Sequence, residues 1–307
     1  MYSNPRFLAA YREKIRHLGI PLVCIVEHSG FSDIVRLNSD AGIPTISCLH
    51  NLESLDGAGR LDFKQRLNTR SRIADLHAEL SVLRQCADRL FISKVEAAMI
   101  NSIGLNSVYY SYRPVGAIAD RLNRVRRQRY TNASTKQTPG RFVMLGSAVH
   151  KPTGDGFRWF VEQATCHGLP SGVSVEVIGA GTEQLTQLCP TSSQIHCLGW
   201  VGQSELEERL IGTRGVLLPQ AYGFGSLTRL VELPTAGIPV IVSEWMTYAT
   251  DILPGVRTVS DSWEAWDAAI RELEERGSSV LGPEPRPEAS DSGNALQANL
   301  RRHLEAG

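Results

Sequence analysis

The sequence predicts an α/β protein built from two successive parallel sheets. Short apolar runs of strand length alternate with helical stretches along most of the chain, the pattern of strands joined by helical crossovers. That alternation breaks once, in an arginine-rich and then polar segment at about 118–140, and restarts after it. The two parts also differ in charge. Residues 1–140 carry 20 Lys/Arg against 12 Asp/Glu, residues 141–307 carry 12 against 20, and the whole chain sums to zero. A basic part and an acidic part suggest two units with different surfaces.

The first block opens with a helix over Pro5–Leu18 and a strand over Leu22–Val26 that ends in Glu27-His28-Ser29-Gly30. A helix over Phe31–Ser39 stops at Gly42, and Pro44 cannot continue it. The next strand, Thr45–Leu49, ends in His50-Asn51. A long helical stretch covers 62–83, and the strand Arg89–Ile92 runs into Ser93-Lys-Val-Glu96. That pattern is a capping box: the Ser93 hydroxyl accepts from the Glu96 amide and the Glu96 carboxylate reaches back. The helix it starts ends near Gly104.

Arg121, Arg124, Arg126, Arg127 and Arg129 then precede the polar stretch Tyr130–Gly140. The run reads as a basic segment followed by a linker. Either it is a solvated face, or it draws the protein to anionic lipid or an acidic acceptor. No nucleic-acid fold signature surrounds it, so nucleic acid is not an expected partner.

In the second block the expected strands are Arg141–Leu145, Val173–Ile178, Ile195–Leu198, Gly215–Leu218 and Pro239–Val242. Helices are expected over Gly156–Cys166, Thr182–Leu188, Ser204–Ile211, Ser226–Ala236 and Trp263–Arg276. A proline-rich linker at 282–287 leads to a last helix over Asn294–Leu304. The domain expectation is therefore 1–139, with the basic linker, then 140–281, then a tail of 282–307.

Hydrophobic residues make up 42% and charged residues 21%, which excludes a disordered, collagen-like or coiled-coil chain. No apolar run approaches the ~20 residues that span a bilayer. The start, Met1 to Arg6, carries no apolar signal region. Six cysteines are scattered without a CxxC pair and read as reduced thiols, so the expected location is the cytoplasm, peripheral to the inner face of the membrane if the basic half meets lipid.

The densest local pattern is Gly223-Phe-Gly-Ser-Leu-Thr-Arg-Leu-Val-Glu232. Glycines between a strand and a helix let the backbone approach a ligand, and amides at a helix start attract phosphate. Arg229 would lie one turn inside that helix, able to pair with the same anion. Glu232 shares its face and could accept from ribose hydroxyls. The plainer alternative is a tight turn with an exposed Arg–Glu pair.

A second loop, Gly146-Ser147 to Gly156, follows the first strand of block two and holds Lys151, the one lysine after residue 140. Ligands of open α/β sheets sit beyond the carboxyl ends of strands, which makes Lys151 a diphosphate candidate; an ordinary surface lysine is the alternative. Gly179-Ala-Gly181 is a lone GxG, a weak signal for a dinucleotide. His28 and His50 both end strands of block one. There is no GxxxxGK[ST], HExxH, GxSxG or paired-cysteine metal pattern, and neither metal nor cofactor is expected.

Together the two blocks, from about 20 to 276, resemble the GT-B glycosyltransferases, specifically the retaining family 4 (group 1) enzymes. The likeness is carried by the 223–232 pattern and the following Ala236-Gly-Ile-Pro-Val-Ile-Val242. Phe142–Ser147, Val177–Gly181 and Leu198–Val201 support it, as do Val26-Glu-His28, Leu49–Glu53 and Ala87–Ser93 in block one. The resemblance implies two Rossmann-like domains, the first incomplete because the chain starts where the family's acceptor domain is already under way. It implies a donor nucleoside-diphosphate sugar and a glycan, lipid-linked or small-molecule acceptor.

It further implies that Glu232 holds the donor ribose and that Arg229 and Lys151 neutralise the diphosphate, assisted by the amides of Gly225 and Ser226. His28 is implied beside the transferring sugar, with Gly146, Ser147 and Gly223 in the binding loops. The sequence departs from the family in three places. Phe224 stands where many members carry an acid, Ser147 where an arginine often follows the glycine, and Pro234 inside a helix. An N-terminally shortened first domain would leave strand residues such as Val23, Ile25, Ile46 and Leu49 partly exposed or recruiting a partner. Two further readings stand beside the transferase: a degenerate GT-B-like nucleotide-binding or regulatory protein, and a nucleotide-dependent oxidoreductase resting on Gly179-Ala-Gly181.

Overall fold

Ten strands form among the residues that the computed structural model describes: 5–55, 69–131, 140–189, 194–223, 225–276 and 300–303. All their pairings are parallel, in a four-stranded and a six-stranded sheet. The chain divides into two compact units. The first is Met1–Ser111 with Phe224–Ser226 and Pro287–Gly307, and the second is Tyr112–Gly223 with Leu227–Arg286. The expected polar linker at 132–139, the onset of the helix expected at 62, and the 282–299 tail lie outside the described residues.

In the first unit, helix α1 (Pro5–Leu18) precedes β1 (Cys24–Val26), and α2 (Ser32–Asp40) leads to β2 (Thr45–Leu49). Helix α3 (Thr69–Gln85), β3 (Asp88–Phe91), α4 (Lys94–Ser102) and β4 (Val108–Tyr109) follow, and the strands stand side by side in chain order. All five residues of β2 are buried, as suits an interior parallel strand covered on both faces. Ile46 is 0% exposed and Leu49 1%, so the expected exposure of these two residues is wrong. The reason is that β2 lies between β1 and β3, with Leu49 clustered with Leu83 of α3 and Ala97 and Ile100 of α4, and Ile46 clustered with Leu90, Val23, Tyr110 and Leu300. Exposure is confined to the edge: Ile25, on β1, stays 44% exposed.

The Ser93 cap forms as expected: Ser93 Oγ accepts from the Glu96 amide at 3.3 Å, and Glu96 Oε1 accepts from the Leu52 amide at 2.8 Å. Buried Glu79 of α3 accepts from the amides of Glu53 and Ser54, so two carboxylates anchor the turn that follows β2. Residues 300–303 are helical and return to this unit, where His303 Nε2 lies 2.6 Å from Asp88 Oδ2.

The second unit begins with α5 (Gly116–Thr131) and continues through β5 (Arg141–Leu145), α6 (Lys151–His167), β6 (Ser174–Ile178), β7 (Ile195–Gly199), α7 (Gln203–Gly212), β8 (Gly215–Leu218), α8 (Arg229–Thr235), β9 (Val240–Ser243), β10 (Val256–Val259) and α9 (Trp263–Arg276). The strand order is β10-β9-β8-β5-β6-β7. The chain winds outward from β5 through β6 and β7, then crosses back to β8 and winds the other way. That leaves a topological switch point between β5 and β8.

Helix α9 shows how the sequence builds this core. Trp263, Trp266, Ile270 and Leu273 recur at helical spacing and are all buried. Phe160 of α6 meets both tryptophans edge-on, with ring centroids 5.5 and 5.6 Å apart.

The basic segment belongs to this second unit rather than to a domain ending at 139. Leu122 and Val125 of α5 pack into the same apolar cluster as Val143, Val216 and Leu230. Arg129 is 1% exposed, with its guanidinium donating to the carbonyls of Leu210, Ile211, Thr213 and Gly237 at 2.6–3.0 Å. It thereby satisfies carbonyls at the end of α7 that have no helical partner. Arg126 is also buried, and Arg124 pairs with Glu207 at 3.4 Å. Arg121 Nη1 donates to Gln203 Oε1 at 3.4 Å, so four of the five arginines of the run are engaged within the protein. No helix among the described residues is long and apolar enough to cross a membrane.

Candidate functional site

The switch point joins the loop after β5 to the loop after β8, and small residues let them close on each other. A Cβ on Gly146 would come 2.7 Å from Thr153 Cγ2, 3.2 Å from Phe157 Cζ and 3.3 Å from Arg229 Nη1. Only hydrogen fits where the β5 loop, α6 and the Arg229 guanidinium meet. The loop is pinned from the β6 side: the Gly146 amide donates to Ile178 O at 3.0 Å and the Ala148 amide to Ala180 O at 2.8 Å. Ser147 Oγ lies 3.5 Å from Ala180 O.

Gly179 supports this arrangement. Its φ is +139°, and a Cβ there would stand 1.8 Å from Gly146 O. The glycines of Gly179-Ala-Gly181 thus serve close backbone packing behind the Gly146 loop, an explanation of that pattern that needs no dinucleotide.

Helix α6 starts at Lys151, five residues earlier than the sequence indicates, with His150 as its N-cap and Pro152 in its first turn. Gly154 and Gly156, which read as loop glycines, are helical because the helix packs against backbone. A Cβ on Gly156 would come 2.1 Å from Pro219 O. Thr153 Oγ1 donates to Gln220 Oε1 at 3.2 Å, and the Gln220 amide donates to Ser243 Oγ at 3.2 Å. These bonds tie α6 to the ends of β8 and β9.

Lys151 is not a free loop cation. Its Nζ lies 2.6 Å from Asp155 Oδ2, to which the Tyr222 hydroxyl also donates at 2.8 Å. The hydrogen bond to Asp155 raises the Lys151 pKa, so the amine is charged at neutral pH and that charge is already answered.

Arg229 is the first residue of the seven-residue helix α8, not one turn inside a helix starting at Ser226. The helix is short at both ends. Leu227 and Thr228 form its entry turn, and Pro234, which has no N–H to offer, precedes its last residue. Burial lowers the Arg229 pKa while Glu232 offsets it. The result is a desolvated cation beside Gly146 with a carboxylate one turn further on.

Glu232 Oε1 accepts from the Tyr112 hydroxyl at 2.8 Å. Burial and that carboxylate raise the Tyr112 pKa, so the phenol remains a donor across neutral pH. Tyr112 lies 120 residues upstream in no recognisable motif, and sequence reasoning missed it.

The structure thus brings Gly146, Arg229 and Glu232 together, with Lys151 at the start of α6. Gly223, at φ +149°, lies in the β8 loop near Gln220 and Met246. Phe224 is outside the described residues. Gly225 and Ser226 group with the first unit, where a Cβ on Gly225 would come 3.0 Å from Asn51 Cβ.

His28 also stands in the first unit, at the carboxyl end of β1. Its Nδ1 accepts from the Gly30 amide at 2.8 Å, and its Nε2 lies 3.2 Å from Glu53 Oε1. The first bond directs the ring proton of the neutral imidazole to Nε2. His50 is exposed just after β2. Among the described residues no group of three or more His, Cys, Asp or Glu is placed to hold a metal ion.

No family model matches the chain, and no curated protein matches it. Solved structures do. Sucrose-phosphate synthase from Thermosynechococcus elongatus superposes with a TM-score of 0.69 at 14% identity, over 99% of this chain and 78% of that one. HepE from Anabaena, solved with UDP and glucose, has a TM-score of 0.64 at 11% identity, over 94% and 80%. The catalytic domain of starch synthase IV from Arabidopsis thaliana, bound to ADP and acarbose, has a TM-score of 0.62 at 12% identity, over 96% and 76%. At these identities the likeness is one of fold: the chain has the two-unit, parallel-sheet α/β architecture of the GT-B glycosyltransferases.

Proposed function

We propose that the chain is a retaining glycosyltransferase that takes a sugar from a nucleoside-diphosphate sugar, with the nucleotide held by the second unit. The observation that carries this reading is the convergence of a glycine-backed loop, a half-buried arginine and a carboxylate at the β5/β8 switch point. Open α/β sheets bind ligands at such a point. Negative charge builds on the diphosphate as the glycosidic bond breaks. A preplaced, desolvated cation such as Arg229 lowers that barrier more than a hydrated one. Gly146 lets its loop close on the guanidinium, Glu232 accepts from the ribose, and Lys151 joins the phosphates by leaving Asp155. The acceptor is a glycan, a lipid-linked sugar or a small molecule. Fold neighbours solved with UDP or ADP support the nucleotide class without choosing the base.

A second reading is a nucleotide-binding protein without turnover. The engagement of Lys151 by Asp155 and the phenylalanine at position 224 favour it. Calorimetric titration with UDP, GDP and ADP, followed by release of nucleoside diphosphate from the matching sugar nucleotides, separates the two. Binding with release, and a product of unchanged anomeric configuration by NMR, is the expected result. An inverted product overturns the retaining assignment, binding without release favours the second reading, and no binding overturns both.

A further inference from the structure

We infer that Tyr112 is a positioning residue of the nucleotide site, holding the Glu232 carboxylate so that the site selects a ribonucleotide over a deoxyribonucleotide. The inference rests on the nucleotide-sugar reading above. Its geometry is a 2.8 Å hydrogen bond from the Tyr112 hydroxyl to Glu232 Oε1, between half-buried residues 120 positions apart in the sequence. Tyr112 is the first residue of the second unit, four positions before α5 begins. The bond therefore fixes the carboxylate from an element outside both binding loops.

The chemistry follows from counting donors and lone pairs. A phenol has one proton to give, and here it goes to the carboxylate. Each carboxylate oxygen accepts about two hydrogen bonds. With one site used by Tyr112, Glu232 retains acceptor capacity on both oxygens. A ribose offers two adjacent hydroxyl donors, at the 2′ and 3′ positions. A glutamate otherwise free to rotate loses side-chain entropy when it binds them, and one already held loses less. A 2′-deoxyribose supplies one donor fewer, so it gains less from the held carboxylate.

The test compares UDP with 2′-deoxy-UDP, and GDP and ADP with their deoxy forms, on the full chain. Wild-type protein is expected to prefer the ribonucleotide. Tyr112→Phe keeps the ring and removes the donor, and should weaken ribonucleotide binding roughly three- to tenfold while changing the deoxy form less. In a Glu232→Ala background the same substitution should add nothing, because the two residues act as one unit. Equal loss for both sugars, or an unchanged ratio, overturns the inference alone. Failure of the wild-type chain to bind any of these nucleotides overturns the nucleotide-sugar reading and this inference with it. Should Tyr112→Phe fail to fold, Tyr112→Gln and Tyr112→Leu replace it. They are similar in size and differ in a donor, so the ribo-to-deoxy ratio must be higher for Gln, and equal ratios overturn the inference.

Discussion

Lys151 Nζ and Asp155 Oδ2 lie 2.6 Å apart, one turn from each other on α6, and Tyr222 shares the same carboxylate oxygen. A phosphate that recruits Lys151 must therefore compete with a carboxylate already in contact. Asp155→Asn removes the competing charge and keeps the size. It is expected to raise affinity for a nucleoside diphosphate several-fold while leaving the free nucleoside unchanged. Lys151→Ala is expected to do the opposite, again with the diphosphate affected more than the nucleoside. Equal effects on both ligands in isothermal titration would mean that Lys151 is remote from the phosphates.

Glu232 is expected to matter more for binding than for folding, since it is half-buried and its helix is held by apolar neighbours. Leu230, Val231 and Leu233 supply that burial. Glu232→Ala should weaken UDP or GDP binding by about 1–3 kcal/mol, the range for hydrogen bonds to a charged group. The melting temperature should change little. Unchanged affinity in a folded variant would remove Glu232 from the site.

Arg129 is the opposite case, a charged residue whose role is architectural. Its guanidinium caps four carbonyls, and burial pushes its pKa down to about 10. Removing it leaves those carbonyls unpaired in a dry environment. Arg129→Met should cost about 3–5 kcal/mol, comparable to breaking a buried ionic contact. Exposed Arg127→Ala should fall within ~0.5 kcal/mol of wild type. Urea unfolding monitored by tryptophan fluorescence measures both, and similar midpoints for the two variants would show that Arg129 is dispensable.

This contrast also shows what was legible in the sequence. The helix at Trp263–Arg276 is readable because four large apolar residues mark one face, and Ser93 is readable because a cap is a local device. Arg129 is not, since a carbonyl-capping arginine has the same spacing as a solvated one until the end of α7 and the turn at Gly237 are placed. Strand β10, Val256–Val259, escapes notice because Arg257 and Thr258 are both exposed at the sheet edge, so it shows no clean apolar alternation. Gly154 and Gly156 mislead for a physical reason: a glycine needed for close helix packing looks identical to one needed for a turn. Tyr112 meets Glu232 only through the fold, so no local pattern could reveal it.

Burial raises the thiol pKa of Cys48 to about 12 and of Cys86 to about 11. A raised folded-state pKa keeps the thiol protonated where the unfolded chain would ionise near 9. The unfolded state then binds fewer protons, so this contribution to stability is full below pH 9 and is lost as pH rises through about 11–12. Denaturation midpoints should fall over that window, and less steeply in Cys48→Ala. At pH 8 exposed Cys166 should react with a thiol reagent well before either buried cysteine, as mass spectrometry of labelled peptides can show.

Gly179 offers the sharpest separation between a structural glycine and a ligand-binding one. A Cβ there would stand 1.8 Å from Gly146 O, and its φ of +139° is strained for any other residue. Gly172 has a φ of +78° with nothing within 4 Å of its would-be Cβ. Gly172→Ala should therefore cost only the strain of a left-handed residue, roughly 1–2 kcal/mol, with nucleotide affinity unchanged. Gly179→Ala must push the Gly146 loop forward, toward the space before the Arg229 guanidinium. It should lower both stability and affinity for nucleoside diphosphates. NADH titration completes the argument: if Gly179-Ala-Gly181 cradled a dinucleotide, wild-type protein would bind NADH and Gly179→Ala would abolish it. Under the packing explanation NADH does not bind, and the loss in Gly179→Ala is seen with UDP, GDP or ADP. Retained diphosphate affinity in a folded Gly179→Ala variant would break the link between this glycine and the loop it supports.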